Sequence, residues 1–137
     1  MPLDTEAEFA FLVALAEAAG AVILPHFRTA LDVENKASAG HYDPVTVADR
    51  AAEVEIRRLI AARYPEDGLI GEEFGAERAD APRQWIIDPI DGTRSFVTGV
   101  PLWGTLIGRI DSGRPTLGAM AQPYIGEVFL GDGRRAE

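Results

Sequence analysis

The sequence predicts an α+β domain in which two N-terminal helices pack on a largely antiparallel sheet. Apolar residues recur at helical spacing in two long segments before residue 65. After Gly104 the pattern changes to short apolar runs separated by turn residues, which is typical of consecutive strands. Helices that precede such strands favour a layered fold around one core.

The first helix is expected to begin at a T-x-x-E capping box formed by Thr5 and Glu8. Its apolar face is predicted from Phe9, Leu12, Val13, Ala16, Ala19 and Ile23. Pro25 should kink or interrupt this helix near its end, because proline cannot donate a helical hydrogen bond.

The second helix is predicted over about residues 48–64, ending before Pro65, with a buried stripe of Val54, Ile56, Leu59 and Ile60. Five short apolar runs predict strands at 69–70, 85–87, 105–110, 115–121 and 127–130. Residues 36–44 and 77–83 are interpreted as loops, and residues 111–113 and 124–126 as turns.

Composition limits the possible functions. A chain of 137 residues, 47% apolar and 26% charged, suits one soluble domain. It has no cysteine, so the chain contains no disulfide or thiolate metal site. A net charge of -9 argues against nucleic-acid binding. The N-terminus lacks a basic leader, and the longest apolar run, residues 18–24, is too short to cross a membrane.

Acidic residues gather in three segments, D-P-V-T-V-A-D at 43–49, G-E-E at 71–73 and W-I-I-D-P-I-D-G-T at 85–93. Pro89 is expected to end an apolar strand, so that Asp88 and Asp91 share one tight turn. Gly92 and Thr93 would then open a short helix. Two adjacent carboxylates repel each other unless a cation or a proton lies between them, and such oxygen ligands select Mg²⁺ or a similar ion.

Each acidic segment also has a simpler interpretation. Asp91 could be only a helix cap, and Asp49 a charge that interacts with a helix dipole. Glu72 and Glu73 alone would be a solvated turn, and Thr93 alone a solvated helix residue. The order of all three segments together favours a shared site.

Together, the three segments resemble the signature of the inositol monophosphatase superfamily over residues 43 to about 96. The resemblance implies a metal-dependent phosphomonoesterase, of which residues 1–137 form the N-terminal metal-binding domain of an αβαβα fold. It implies that Glu72, Asp88, Asp91 and the Ile90 carbonyl bind metal, with Asp88 bridging two ions. The full-length enzyme would hold two or three Mg²⁺ ions, with Mn²⁺ as an alternative.

The same resemblance implies that Asp49 and Thr93 orient the attacking water. It implies that the backbone amides of Gly92 and Thr93 hold the substrate phosphate. Lys36 matches a basic residue of a loop near a third ion, and His41 is a candidate substrate contact.

Arg94 begins an R-S-F segment that, with P-L-W-G-T-L-I at 101–107, looks like the histidinol-phosphatase branch. Its guanidinium could bind a phosphate bidentately, or pair with a nearby carboxylate instead. Histidinol phosphate is therefore the preferred small-molecule substrate. Inositol phosphate and 3′-phosphorylated nucleotides remain alternatives. The resemblance implies a homodimer for the full-length protein, and the absence of cysteine fits a cytoplasmic location.

Family members are roughly twice as long as this chain, and their second half carries a W-D-x-A segment that completes the second metal site. No W-D pair occurs here. We therefore expect an incomplete enzyme with weak or absent activity and a sheet with an uncovered apolar face. The alternative is a non-catalytic module that binds a metal or a partner.

Overall fold

The structure is a computed structural model that describes residues 4–29 and 44–137. Its helices are α1 Thr5–Ile23, α2 Pro44–Arg63 and α3 Thr93–Thr98, with a 3₁₀ turn Leu24–His26 directly after α1. Its strands are β1 Gly68–Gly71, β2 Gly75–Glu77, β3 Arg83–Asp91, β4 Gly104–Asp111, β5 Arg114–Gln122 and β6 Glu127–Gly131.

The described strands form one sheet in the order β2-β1-β3-β4-β5-β6. Strands β1 and β3 run parallel, and the other neighbouring pairs are antiparallel. The predicted α+β fold with a largely antiparallel sheet is confirmed. The sequence did not predict β2, whose three residues are all exposed.

Alternation along the strands gives the sheet one covered face. On that face Trp85, Ile87 and Ile107 are buried against Leu12 and Ile56 of the two long helices. The intervening positions Ile86, Met120 and Phe129 remain 37–49% exposed on the other face. An uncovered apolar face was expected from the sequence, and the structure has one.

The start of α1 differs from the predicted capping box. Asp4 is the N-cap, and its carboxylate accepts the backbone N–H of Glu6 at 3.1 Å. Glu8 is buried instead, with its carboxylate 2.5 Å from Nη1 of Arg109 on β4. The capping assignment was wrong because this buried cation holds the Glu8 carboxylate against the sheet, away from the helix start. Pro25 does interrupt the helix, which gives way to the 3₁₀ turn.

In α2 the prediction of Ile56 and Ile60 as buried is confirmed, and Leu59 is partly buried. Val54 was wrongly placed in the stripe, since it is 51% exposed. It lies two positions from Ile56, about 200° around the helix, and so faces solvent. The fully buried position beside it is taken by Glu53.

The segment Thr5–His26 is long and apolar enough to cross a membrane by length and composition. The sequence argument considered only its longest uninterrupted apolar run, and so underestimated the length of the apolar segment. Half of the most apolar part is buried inside the protein, where α1 packs on α2 and the sheet. In this structure α1 is a core helix.

The buried pair Glu8–Arg109 gives a stability prediction. Arg109→Met should lower the free energy of unfolding by about 3–5 kcal/mol, because the Glu8 carboxylate would stay buried without its cation. Urea denaturation measures the change, and Glu8→Met/Arg109→Met should recover most of the loss. Arg58→Met, which breaks an exposed pair with Glu55, should cost less than about 1 kcal/mol. Equal losses in the two single variants would contradict the assignment.

Candidate metal centre

Strand β3 continues through Pro89 by means of a β-bulge. Asp88 faces Leu106 of β4 and Asp91 faces Gly104, so two residues of β3 stand opposite one residue of β4. The expectation that Pro89 ends the strand was wrong. A bulged residue is left out of the ladder, so its missing N–H costs no hydrogen bond.

This bulge puts Asp88 and Asp91 on the same side of the sheet. Residues three apart in a regular strand point to opposite faces, because side chains alternate. The extra residue shifts the alternation by one, and the facing residues Leu106 and Gly104 are themselves two apart on β4. The two carboxylates therefore converge, although a continuous strand, and not a tight turn, connects them.

The second acidic segment forms the turn between β1 and β2. Gly71 and Gly75 face each other across the hairpin, and residues 72–74 connect them. The Glu73 carboxylate lies 3.9 Å from Nε of Arg50 on α2. Within the described residues, Glu72 has no hydrogen-bonding or ion-pair partner, so its exposed carboxylate is free to bind a cation.

Glu53 is a residue of this site that the sequence analysis missed. Its side chain is fully buried, and its carboxylate accepts the backbone N–H groups of Glu73 and Phe74, each at 3.0 Å. Arg57, one helical turn later, donates Nε–H to the same carboxylate at 3.0 Å. A glutamate and an arginine four residues apart on a helix were visible in the sequence, but they resemble an ordinary solvated pair.

Asp49 lies one turn before Glu53 on α2 and is only 5% exposed. It borders a cleft of about 510 Å³ lined by Val45, Asp49, Glu72, Glu73, Thr93, Arg94, Val97 and Thr98. Helix α3, on the other side of this cleft, begins after Gly92, which has a left-handed φ of 88°. The predicted short helix is confirmed.

The environment of Asp49 disfavours its charged form. Burial raises the pKa of Asp49 to about 7, with further contributions from the charges of Glu73, Asp88 and Glu72. A hydrogen bond with the backbone of Ile90 acts in the opposite direction. The Oδ1 atom of Asp49 is buried and has no hydrogen-bonding partner among the described residues.

Asp88 is affected in the same way. Burial, followed by the charges of Glu72 and Asp91, raises the pKa of Asp88 to about 6. Its Oδ1 atom is also buried, without a hydrogen-bonding partner in residues 4–29 and 44–137. A buried, unpartnered carboxylate oxygen among other carboxylates is costly unless a cation or a proton neutralises it.

This donor set suits a hard divalent cation. Carboxylate and carbonyl oxygens are the ligands that Mg²⁺ prefers, and a cation among these groups would replace repulsion with attraction. In the part of the chain that the structure describes, no three acidic or histidine side chains already stand in metal-binding positions together. The side chains of Asp88, Glu72 and Asp91 are nevertheless near enough for their charges to interact.

The other predicted residues fall into two groups. Thr93 and Arg94 line the cleft, and both are exposed. Within residues 4–29 and 44–137, Thr93 makes no hydrogen bond to Asp49, and the Arg94 guanidinium has no hydrogen bond or ion pair. Lys36 and His41 lie outside the described residues.

Residues 4–136 match the model of the inositol monophosphatase family. The chain belongs to the inositol monophosphatase family. A histidinol-phosphatase from Chlorobaculum parvum is 48% identical over 116 residues, covering 84% of this chain and 44% of the relative. A histidinol-phosphatase from Mycobacterium tuberculosis is 49% identical over 82 residues, covering 60% of this chain and 32% of the relative.

Solved structures of inositol monophosphatases have the same fold as this chain. An inositol monophosphatase from Zymomonas mobilis matches with a TM-score of 0.83 and 40% identity, covering 96% of this chain and 50% of that one. The chain therefore spans about half the length of the relatives that it matches. The family is one of phosphatases, and its members are generally Mg²⁺-dependent.

The raised pKa of Asp49 gives a pH prediction for the chain in a chelator. The folded state holds its proton up to about pH 7, whereas the unfolded state releases it near the ordinary pKa of 3.8. Stability contributed by this group is therefore present below about pH 4 and lost as the pH rises to 7.

Asp49→Asn should make the fall of stability shallower in thermal unfolding scans between pH 4 and 8, because only the part due to Asp88, whose pKa is about 6, remains. Asp80→Asn, at an exposed aspartate, is the matched control and should follow the parent. An Asp49→Asn profile that falls as steeply as the parent's would show that another group is responsible.

Proposed function

We propose that this chain is the metal-binding half of a Mg²⁺-dependent phosphomonoesterase. The observation that carries the proposal is the gathering of Asp49, Glu72 and Asp88 beside a cleft, where burial and neighbouring carboxylates raise the pKa of Asp49 and of Asp88. Such a cluster needs a cation, and the cleft beside it can hold a small phosphate ester.

Glu72, Asp88, Asp91 and the backbone carbonyl of Ile90 would hold the metal. Bound Mg²⁺ supplies a Lewis acid and lowers the pKa of a coordinated water. The bulge keeps Asp88 and Asp91 on one side of the sheet, and the 72–74 turn brings Glu72 to them. Two or three ions, and Mn²⁺ as an alternative ion, belong to this proposal.

Asp49 and Thr93 would orient the attacking water from opposite sides of the cleft. The unpartnered Oδ1 of Asp49 is an acceptor available to a hydroxyl or to a water. The Thr93 hydroxyl is exposed to the cleft, where it would hydrogen-bond to the same water. The backbone amides of Gly92 and Thr93 would hold the phosphate.

Arg94 would bind the phosphate of the substrate. Its guanidinium lines the cleft without a partner among the described residues, which favours a role in substrate binding over a structural ion pair. Together with the likeness to two histidinol-phosphatases, this favours histidinol phosphate. Inositol phosphate is the second candidate, favoured by the likeness to the Zymomonas mobilis structure. A cytoplasmic homodimer is part of the proposal.

The metal site is tested by Asp88→Asn. Titration calorimetry with Mg²⁺ or Mn²⁺ should detect binding to the parent and none to this variant, because the substitution removes the charge and one ligand oxygen. Asp80→Asn should bind like the parent, since Asp80 is exposed on a remote turn. Unchanged binding by Asp88→Asn would overturn the assignment.

The substrate is tested by phosphate release from histidinol phosphate and from inositol 1-phosphate in Mg²⁺. The polypeptide encoded by the complete reading frame and the 137-residue chain should be compared. We expect turnover of histidinol phosphate by the former, and little or none by the latter. Preference for inositol 1-phosphate would select the second candidate.

Arg94→Gln should raise KM for the preferred ester by about tenfold, since one charge-assisted contact is lost. Arg114→Gln, at an exposed arginine of the β4–β5 hairpin, is the control and should leave KM unchanged. Failure of every ester, with metal binding intact, would favour the alternative of a non-catalytic metal-binding module.

A further inference from the structure

We propose that Glu53 is a positioning residue that holds the metal-binding turn 72–74 at a fixed position relative to Asp49. The inference deepens the proposed function and rests on it. Glu53 has no direct role with metal or substrate in this proposal, because its carboxylate is already occupied by protein donors. It acts through Glu72 and Asp49.

The Glu53 carboxylate connects two elements of the site. Both of its oxygens accept backbone N–H groups of the turn, from Glu73 and Phe74, so the peptide units next to Glu72 are fixed to α2. Asp49 precedes Glu53 by four residues and lies on the same helix face. One side chain therefore sets where the turn stands relative to the buried aspartate.

Arg57 keeps this connection in one geometry. It donates to Glu53 and also to Glu77 at 2.9 Å and to the backbone carbonyl of Gly75. Its guanidinium thus ties the helix to the first and last residues of β2. Because a buried carboxylate is costly without such partners, the arrangement excludes alternative positions of the turn.

Gly71 leaves the space that the carboxylate occupies. A Cβ at this position would lie 2.5 Å from either oxygen of Glu53. That is inside contact distance, so any side chain here must displace the carboxylate or the turn. The carboxylate of Glu53 is therefore confined by its hydrogen-bond donors and by the backbone at Gly71.

The test measures Mn²⁺ binding to the 137-residue chain by the loss of the free-ion EPR signal. Glu53→Gln keeps the side-chain volume but faces the N–H of either Glu73 or Phe74 with an amide donor. We expect Mn²⁺ affinity to fall about 10–100-fold, as for other partners of metal ligands. Amide exchange at Glu73 and Phe74 should become faster, while exchange in β4 and β5 stays that of the parent.

Charge alone could also weaken cation binding, since Glu53 contributes to the field at Asp88. Two variants separate the effects. Glu53→Gln/Arg57→Met has the net charge of the parent, and Gly71→Ala changes no charge but moves the carboxylate and the turn relative to each other. Positioning predicts weaker Mn²⁺ binding in both, whereas a charge effect predicts parental affinity in both. Parental affinity would overturn the inference.

The controls are Glu55→Gln, a partly exposed glutamate on the same helix, and Gly118→Ala, whose Cβ would meet nothing closer than 3.9 Å. Both should bind Mn²⁺ like the parent. If Glu53→Gln fails to fold by circular dichroism, Gly71→Ala decides the question. If the parent binds no Mn²⁺, the metal site of the proposed function is wrong and this inference is overturned with it.

Discussion

Mutual repulsion among Asp49, Glu72 and Asp88 is the constraint on which the rest of this structure depends. In this partly buried cleft charge is weakly screened: burial and the charges of Glu73, Asp88 and Glu72 raise the pKa of Asp49, and burial with the charge of Glu72 raises the pKa of Asp88. A flexible chain would relax by moving them apart. The protein can keep them together only if the elements that carry them are fixed by stronger contacts elsewhere.

Those contacts are buried ion pairs and hydrogen bonds. Glu53 and Arg57 fix the turn to α2, and Glu8 with Arg109 fixes α1 to the sheet. In each pair the partners have further hydrogen bonds or close packing, which is what makes buried charge tolerable. The well-paired buried charges in the core thus offset the unfavourable free energy of gathering negative charge at the cleft.

Residue periodicity was enough to predict most of the fold. The three C-terminal strands and both long helices have strong apolar patterns, and these appear in the structure within a few residues of the expected bounds. Strand β2 could not be predicted, because Gly75, Ala76 and Glu77 are exposed and have no alternation. It exists because β1 and Arg57 provide its hydrogen-bonding partners.

The site was predicted in part, and the gaps have physical causes. Local motifs located the acidic residues but gave no information on long-range partners. Glu8 fits a capping pattern, yet its partner is 101 residues away on β4. Glu53 fits a surface pattern, yet its partners are amides 20 and 21 residues later. The assigned roles of the site residues in metal and substrate binding stay predictions.

The bulge in β3 means that the site depends on a residue count as well as on residue types. Inserting one residue beside Thr105 of β4, opposite the bulge, would leave every acidic residue in the sequence. It would also let β3 pair regularly, and Asp88 and Asp91, which are three residues apart, would then point to opposite faces of the sheet. A chain with the full acidic composition but one residue more on β4 would therefore be a folded protein without this centre.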